Sequence, residues 1–457
     1  MDKLYVYADF NWLEKPMLVG ELGYESIRGS QSYSFKYSPE WLSRHAGIIL
    51  SEDIRNYPGI QYTQPGKEIF GCFSDSLPDR WGTTLLKRRE QTLAKEEGRP
   101  VRNLTSFDMI MGIEDESRMG GVRFSKSPDG QFINTSDRLS VPPIISLREL
   151  IAASHAIEEA EEKGLLVDQK WIYQLHKPGT SLGGTRPKAN IIDEDGLMKM
   201  AKFPSRNDNF DVELWEHIAH VLAGKAQINV AETRIVKVGS QYNTLLSNRF
   251  DRTRNGERIH YASALTMLGL KDGDGSEDGY GYLDIVDFII RNFTDVEKNV
   301  RELYRRVAFN ICIGNSDDHF RNHGFLLTAK GWTLAPAFDL NPTINRYQGI
   351  MITRDTNESD LDALLKAAED YFIPKTEAEE IIKSVKDALK DWPKVAKRLG
   401  EQQQRSRPKK GSVSCILYGD DELSEGSVRA FRQLSSDLRN KSHQPEHTET
   451  PLSCHAS

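Results

Sequence analysis

Two polar side chains five residues apart, Asp317 and Asn322, lie in the run N-S-D-D-H-F-R-N at residues 315–322. Phosphoryl transfer needs a carboxylate to orient the attacking hydroxyl and oxygen ligands to hold Mg²⁺, because its catalysis is mainly positioning and charge neutralisation. The spacing D-x-x-x-x-N is that of a kinase catalytic loop, in which the aspartate accepts the hydroxyl proton and the asparagine binds the metal. We therefore predict Asp317 as the catalytic residue and Asn322 as a metal ligand.

A second carboxylate, Asp339, follows Asn322 after an apolar run, L-A-P-A-F at residues 334–338. Mg²⁺ commonly binds one or two protein carboxylates together with phosphate oxygens and water, so we predict Asp339 as a second metal ligand. The D-x-x-x-x-N spacing alone also fits a solvated turn. Here, however, the polar run lies between a helix rich in apolar residues and the apolar segment at 324–327. Burying so many polar groups without a function would be costly.

A small, basic stretch, T-S-L-G-G-T-R-P-K at residues 180–188, lies between a predicted helix and a predicted strand. Its backbone amides could contact phosphate groups. It is not a Walker A loop, because Thr185 and Arg186 follow Gly184 where that motif requires Lys and then Ser or Thr. Taken alone, the stretch is more simply interpreted as a turn.

Lys202 is an isolated cation among apolar neighbours on the next predicted strand. A kinase places a phosphate-contacting lysine on such a strand. Glu213, early in the following predicted helix, is a candidate ion-pair partner. A surface lysine whose carbon chain packs on apolar neighbours is an equally simple interpretation of Lys202 alone.

The order of strands and helices predicts an α+β fold with a sheet lobe and a helical lobe. Residues 3–123 contain short strand-like runs separated by Gly, Ser and Pro. One antiparallel sheet is predicted from residues 189–192, 197–203, 234–238 and 244–250. Helix starts are predicted from capping signals at Ser146 with Glu149, Thr294 with Glu297, Thr376 with Glu379, and Asp208 or Asp211.

Composition divides the chain into five predicted segments. The polar stretch 126–143 holds three prolines and no apolar period, so it is predicted to be a linker. Residues 401–457 are polar, without clear periodicity, and are predicted to be largely disordered. The other segments are an N-terminal subdomain at 1–125, a sheet lobe with an ATP-binding loop at 144–255, and a helical lobe with the catalytic loop at 256–400.

Charge and cysteine content exclude several classes of protein. The 457 residues carry a formal net charge of −7, so no global positive field would hold DNA or RNA. The four cysteines are scattered without C-x-x-C pairs, which argues against a disulfide framework and a zinc knuckle. No signal peptide or uncharged apolar run of membrane-spanning length is present in the sequence. A cytoplasmic protein with no membrane contact is predicted.

Five motifs taken together resemble the HipA-like serine/threonine kinases, the toxin halves of bacterial toxin–antitoxin pairs. They are S-L-G-G-T-R-P-K at 181–188, K-F-P at 202–204, N-R-F-D-R at 248–252, N-S-D-D-H-F-R-N at 315–322 and A-F-D-L-N-P at 337–342. The segment S-L-P-D-R at 76–80 is similar to part of the extra N-terminal subdomain of that family, so the resemblance covers about residues 1–395. Two departures are Asn248, where some members have an acidic residue, and the C-terminal tail.

The resemblance implies a bilobal fold related to phosphoinositide kinases, with an added small β-rich N-terminal subdomain, and ATP and Mg²⁺ as cofactors. It gives Asp317 the catalytic role and makes Asn322 and Asp339 the magnesium ligands. Ser181 resembles the autophosphorylated serine of the glycine-containing loop. The residues expected to bind the nucleotide lie in four of the five motifs: Ser181, Gly183, Gly184, Lys188, Lys202, Phe250, Asp251 and His319.

The resemblance also implies partners. Members are neutralised by a helix-turn-helix antitoxin of the HipB type that binds operator DNA, so DNA contact is expected only through the antitoxin. They phosphorylate translation components, and an aminoacyl-tRNA synthetase is one candidate protein substrate. The sequence itself does not identify the acceptor.

Three other functions compete with this interpretation. His319 and His323 form H-x-x-x-H, which on a helix would place two metal-binding imidazoles on one face and suggest a metal-dependent hydrolase. Gly324 follows directly and no glutamate lies between the histidines, so the helix and the general base of that motif are missing. The other two are a non-catalytic antitoxin-binding scaffold and a kinase that acts on a small molecule.

Overall fold

The computed structural model describes residues 2–27, 30–64, 67–135, 141–176, 184–343 and 345–405. Three antiparallel sheets and thirteen α-helices are present in these residues. Strands dominate the first part of the chain and helices the last, as the α+β prediction requires. The tail that was predicted to be largely disordered comprises residues 401–457. Only residues 401–405 of this tail belong to the described part of the chain, so the prediction for the rest lies outside it.

The N-terminal part is built on a five-stranded sheet with strand order β4-β3-β2-β1-β5. Alternate side chains such as Val6 and Phe35 are fully buried against helices on one face. Its elements are β1 Asp2–Ala8, β2 Met17–Ile27, β3 Ser30–Tyr37, α1 Pro39–His45, β4 Gln61–Tyr62, α2 Gly71–Ser74, α3 Arg80–Glu96, α4 Ser106–Gly112 and β5 Val122–Ser125. The long helix α3 was not predicted from the sequence. Asp79 caps its first turn by accepting a hydrogen bond from the Gly82 amide at 2.7 Å.

The next part contains a four-stranded sheet with order β6-β7-β9-β8, in which every neighbouring pair is antiparallel. The predicted sheet is therefore confirmed. Asp211 caps α7, as predicted, by accepting from the Leu214 amide at 3.2 Å. The elements are α5 Leu147–Glu162, α6 Gln169–His176, β6 Lys188–Ile192, β7 Met198–Lys202, α7 Val212–Lys225, β8 Thr233–Val236 and β9 Thr244–Asn248.

The last part packs helices around α10, whose inner face is fully buried, and against a small sheet of order β10-β11-β12. Its elements are β10 His260–Ser263, α8 Ala264–Met267, α9 Tyr282–Asn292, α10 Val296–Ile313, β11 Gly324–Thr328, β12 Gly331–Leu334, α11 Leu361–Lys366, α12 Lys375–Leu389 and α13 Trp392–Arg405. Across the described ranges, no helix is both long and apolar enough to cross a membrane.

Three of the predicted helices exist, but their predicted side-chain caps are wrong. Ser146 precedes α5 without capping it, because it closes a 3-10 turn and its own backbone is already helical. Asp295 precedes α10 and Pro374 precedes α12, so Thr294 lies one residue before the capping position and Thr376 lies two residues after it. The capping signals therefore located the helix starts to within about two residues.

Candidate active site

Lys202 ends strand β7, and its partner in the register with β6 is Lys188. The Lys202 Nζ donates to both carboxylate oxygens of Glu216, at 2.7 and 2.9 Å, and to Oδ1 of Asp339 at 2.5 Å. Burial alone would lower the pKa of Lys202, but the two carboxylates outweigh it and raise that pKa. The side chain is 8% exposed, so Lys202 is a buried, fixed cation and not a surface lysine.

The predicted ion pair between Glu213 and Lys202 is wrong. Glu213 instead accepts hydrogen bonds from Arg186 at 2.7 and 3.1 Å, and Asp208 accepts two more from the same guanidinium. Glu216 is the partner of Lys202 because it lies nearly one turn further along α7 on a buried face. Burial raises the pKa of Glu213 to about 7, although Arg186 opposes the shift.

Asp339 has an unusual backbone conformation, with φ +58 in the left-handed region. Such conformations are costly for residues other than glycine and cluster at functional sites. Burial would raise the pKa of Asp339, but Lys202, with smaller effects from Lys188 and His319, lowers it well below its usual range. Asp339 is therefore ionised at neutral pH.

The loop predicted to be catalytic begins where α10 ends, at Gly314, whose φ of +66 closes the helix in a left-handed turn. The Asp317 residue is exposed, while Asn322 is 7% exposed. The Asn322 Nδ2 donates to the backbone carbonyl of Asp317 at 2.9 Å. This hydrogen bond explains the five-residue spacing, because it closes the loop and fixes the two residues relative to each other.

Asn315 and Asn341 connect this loop to Asp339. The Asn315 Oδ1 accepts from the Asn341 amide at 3.3 Å, and the Asn341 Nδ2 donates to Asp339 Oδ1 at 3.1 Å. Asp339 in turn contacts Lys202. The structure thus joins the loop, the second carboxylate and the strand lysine in one hydrogen-bonded network.

Asp339 and Asn322 carry oxygen donors of the kind that a magnesium site uses. Mg²⁺ prefers hard oxygen ligands and retains waters and phosphate oxygens in its shell. The Asp339 side chain is 22% exposed, and Asn322 uses its Nδ2, not its Oδ1, in the hydrogen bond to the Asp317 carbonyl. Over the same residues, no group of three or more His, Cys, Asp or Glu side chains is arranged to hold a metal. A magnesium ion here would take its remaining ligands from nucleotide and water.

Asp318, for which no role was predicted from the sequence, anchors the loop to α9 and α10 through hydrogen bonds to Tyr282 and Asn310. Its Oδ2 accepts hydrogen bonds from Tyr282 Oη, from Asn310 Nδ2 at 2.8 Å and from His323 Nε2 at 3.0 Å. Burial would raise the pKa of Asp318, but His323 and its other donors lower it. The two adjacent aspartates therefore differ: Asp318 is buried and structural, and Asp317 is exposed.

The histidine pair does not form the metal site of the hydrolase hypothesis. Residues 320–322 form a 3-10 turn and not an α-helix, so the two imidazoles do not share a helical face. His323 is engaged by Asp318. His319 remains near the site, with a buried Nδ1 that has no hydrogen-bond partner within the described segments. The predicted nucleotide-binding role of His319 stays a prediction.

Phe250 and Asp251 differ in their surroundings. Phe250 is half-buried and packs against Phe338, the neighbour of Asp339, with ring centroids 5.4 Å apart. Asp251 is fully buried, and its carboxylate accepts hydrogen bonds from Arg249 and Arg252, each at 2.6 Å, and from the Gly120 amide. Both carboxylate oxygens of Asp251 are thus engaged inside the protein, and the predicted nucleotide-binding roles of Phe250 and Asp251 stay predictions.

Ser181 and Gly183, the predicted phosphate-loop residues, lie outside the described residues. Gly184 is described and has φ +102, a conformation that favours glycine. A Cβ added there would lie 3.1 Å from the Lys188 Nζ, so glycine lets the backbone approach the lysine closely. The predicted roles of Ser181 and of the two glycines remain predictions.

Comparison with known proteins agrees with these observations. The family model for the HipA N-terminal domain matches residues 12–106, and that for the HipA-like C-terminal domain matches residues 180–392. The serine/threonine-protein kinase toxin HipA of Shewanella oneidensis is 24% identical over 349 residues, which cover 71% of this chain and 72% of the relative. A crystal structure of Shewanella oneidensis HipA with HipB and its operator DNA superposes with a TM-score of 0.60 at 18% identity, covering 96% of both chains.

The fold and the site define a two-lobed, kinase-like protein with an added N-terminal subdomain. The chain belongs to the HipA-like family. At the level of the family, this similarity identifies it as a serine/threonine kinase toxin.

Proposed function

We propose that this chain is an ATP- and Mg²⁺-dependent serine/threonine protein kinase that acts as the growth-inhibiting toxin of a toxin–antitoxin pair. The observation that carries the proposal is the buried Lys202, bound between Glu216 and Asp339 and connected through Asn341 and Asn315 to the loop that exposes Asp317. A fixed cation next to a carboxylate and an exposed carboxylate on an adjoining loop are the parts that phosphoryl transfer needs.

In this proposal, Asp317 accepts the proton of the acceptor hydroxyl, which its exposure at the surface of the site permits. Lys188 and Lys202 neutralise nucleotide phosphates from the sheet lobe. Asn322 and Asp339 hold Mg²⁺, which when bound neutralises charge on the phosphates. Phe250 provides an apolar wall for the adenine. Residues 144–255 and 256–400 are proposed as the two lobes that provide these residues.

The proposal extends to regulation and partners. Ser181 is proposed to be the site of autophosphorylation, as in the resemblance drawn from S-L-G-G at residues 181–184. A helix-turn-helix antitoxin of the HipB type is proposed as the partner, because the superposed HipA structure contains HipB and operator DNA. The net charge of −7 suits a protein that contacts DNA only through such a partner. A cytoplasmic protein substrate, such as an aminoacyl-tRNA synthetase, is the proposed acceptor.

The test is to incubate the purified protein with γ-labelled ATP, Mg²⁺ and cell lysate, and to map phosphosites by mass spectrometry. We expect label on serine or threonine of a lysate protein and on Ser181 of the chain itself. Label found only on a small molecule would indicate a metabolite kinase. No transfer to the chain or to any lysate component would contradict the kinase proposal and favour a non-catalytic antitoxin-binding scaffold.

A further inference from the structure

The N-terminal part of the chain supplies a charged group to the proposed nucleotide site. The Asp79 Oδ2 accepts a hydrogen bond from the Lys188 Nζ at 2.8 Å, across 109 residues of sequence. The two side chains are 1% and 2% exposed. A buried ammonium is costly unless it is paired, so this ion pair constrains where Lys188 can lie.

Asp79 is itself held rigidly. Its Oδ1 caps helix α3 by accepting from the Gly82 amide at 2.7 Å, so one oxygen fixes the carboxylate while the other binds the lysine. A lysine side chain is a flexible four-carbon stem that loses about 2 kcal/mol of rotamer entropy when it is fixed in one conformation. A carboxylate already fixed by a helix cap is therefore well suited to place Lys188 before a nucleotide arrives.

The same segment also contacts the helical lobe. Asp75 accepts from the amide and the hydroxyl of Ser263, at 2.8 and 2.7 Å, and lies 3.9 Å from the guanidinium of Arg321 in the catalytic loop. Residues 75–79 thus contact a strand of the sheet lobe at one end and the helical lobe at the other. The N-terminal part is positioned to fix Lys188 relative to the catalytic loop.

We propose that Asp79 is a positioning residue that holds Lys188 for the phosphates of ATP, so that the N-terminal part of the chain completes the nucleotide site. This inference rests on the proposed kinase function. Its chemical basis is charge: Lys188 lies close enough to Asp339 to contribute to the lowering of the pKa of that carboxyl. A displaced lysine would weaken neutralisation of phosphates at the same place.

The experiment is equilibrium binding of Mg·ATP to the full chain, together with steady-state phosphate transfer. Asp79→Asn removes the charge and keeps the helix cap, because asparagine caps helices as well as aspartate does. We expect the Kd for Mg·ATP to rise about tenfold in this variant, the loss typical of one weakened charge contact. The matched control is Asp53→Asn, which alters a buried carboxylate of the N-terminal part that binds the Gly71 amide and Lys67, away from Lys188. Its Kd should equal that of the wild type.

A double-mutant cycle with Lys188→Met separates positioning from a general loss of structure. If Asp79 acts through Lys188, Asp79→Asn changes the Kd in the wild-type background and has no further effect beside Lys188→Met. The double variant removes both charges of this ion pair, so it keeps the test valid if Asp79→Asn alone is unstable. Asp79→Glu, which restores the charge, should recover part of the affinity.

Three results would overturn the inference: an unchanged Kd in Asp79→Asn, tighter binding in that variant, or an equal effect of Asp79→Asn with and without Lys188. If wild-type protein binds no ATP, the proposed function falls and the inference falls with it. If wild-type protein binds ATP and transfers phosphate while Asp79→Asn behaves like the wild type, only the inference is wrong.

Discussion

The ion pairs of the buried Lys202 with Glu216 and Asp339 give the most quantitative prediction. Lys202→Met keeps the length of the side chain but leaves the buried Glu216 and the partly exposed Asp339 without their cation. Removing one partner of a buried ion pair costs about 3–5 kcal/mol, because the remaining charge is uncompensated. In a domain of 150–250 residues each kcal/mol lowers Tm by about 2–4 °C. We therefore expect a large fall in Tm together with loss of ATP binding.

The cost should depend on pH, and its sign follows from the two carboxylates. In the wild type, the pKa of Asp339 is lowered, so that group stabilises the fold above its unfolded pKa and ceases to do so as pH falls. In Lys202→Met that contribution is absent. Burial, no longer opposed by Lys202, further raises the already raised pKa of Glu216. Protonation of Glu216 in the variant should therefore narrow the stability gap between wild type and variant as pH falls from 7 toward 4. Loss of the Asp339 contribution in the wild type should narrow the gap further only below about pH 4.

The assay is urea unfolding of both proteins at several pH values, with Lys199→Met as the matched control. Lys199 lies on the same strand and is 7% exposed, but its partners Asp193 and Asp195 lie outside the site, and Asp193 keeps Arg234. We expect the control to bind ATP normally and to lose less stability. A loss below about 1 kcal/mol, or a gap that does not change with pH, would refute the reasoning about an uncompensated buried charge.

Three further predictions concern the loop, α7 and the aromatic wall. Asp318→Asn should destabilise the protein by about 1–3 kcal/mol, because the new amide group would face the hydrogen-bond donors of Asn310 and His323. We also expect a lower kcat with little change in the Kd for ATP. An unchanged kcat would contradict this anchoring role. The Glu213→Gln protein should become more stable relative to the wild type as pH rises from 5 to 8, because the raised pKa of Glu213 makes the wild type lose stability in that range. The measurement is urea unfolding of both proteins across the range. A difference in stability that does not change with pH would contradict the role of burial at Glu213. Phe250→Ala should weaken ATP binding by about 1 kcal/mol, roughly fivefold, measured by equilibrium binding, whereas an equal affinity would place the adenine elsewhere.

Local patterns were sufficient to predict the four-stranded sheet β6-β7-β9-β8 and the loop that links Asp317 with Asn322. The strands at 188–192, 198–202, 233–236 and 244–248 follow from short apolar runs between turns. The Asp317 and Asn322 spacing corresponds to a specific hydrogen bond from the asparagine side chain to the aspartate carbonyl. Such features depend on residues close in sequence, which is why they can be read from it.

Partners distant in sequence were not predictable in the same way. Glu216 and Glu213 both lie on buried faces of α7, and only the packing of that helix decides that Lys202 takes Glu216 and Arg186 takes Glu213. One sequence signal pointed to Glu216. It has helical spacing to Ala219 and Ala223, which are buried, so the same face of α7 carries an inward-facing charge that needs a partner.

Asp79 and α3 were missed for a related reason. The N-terminal part was interpreted as strands, although an aspartate before a long run of helix-forming residues is an N-terminal capping signal. Its second role, as partner of Lys188, depends on how two separate parts of the chain pack together. No local pattern encodes that contact.

The central claim, that Asp317 accepts the proton in phosphoryl transfer from ATP, is tested most directly by one comparison. Wild-type protein and Asp317→Asn are incubated with γ-labelled ATP, Mg²⁺ and lysate, and the transferred label is counted. Asp317 is exposed, so the variant should fold and bind ATP like the wild type while phosphate transfer falls by about 10²–10⁴-fold. Equal transfer by the two proteins would contradict the assignment of Asp317.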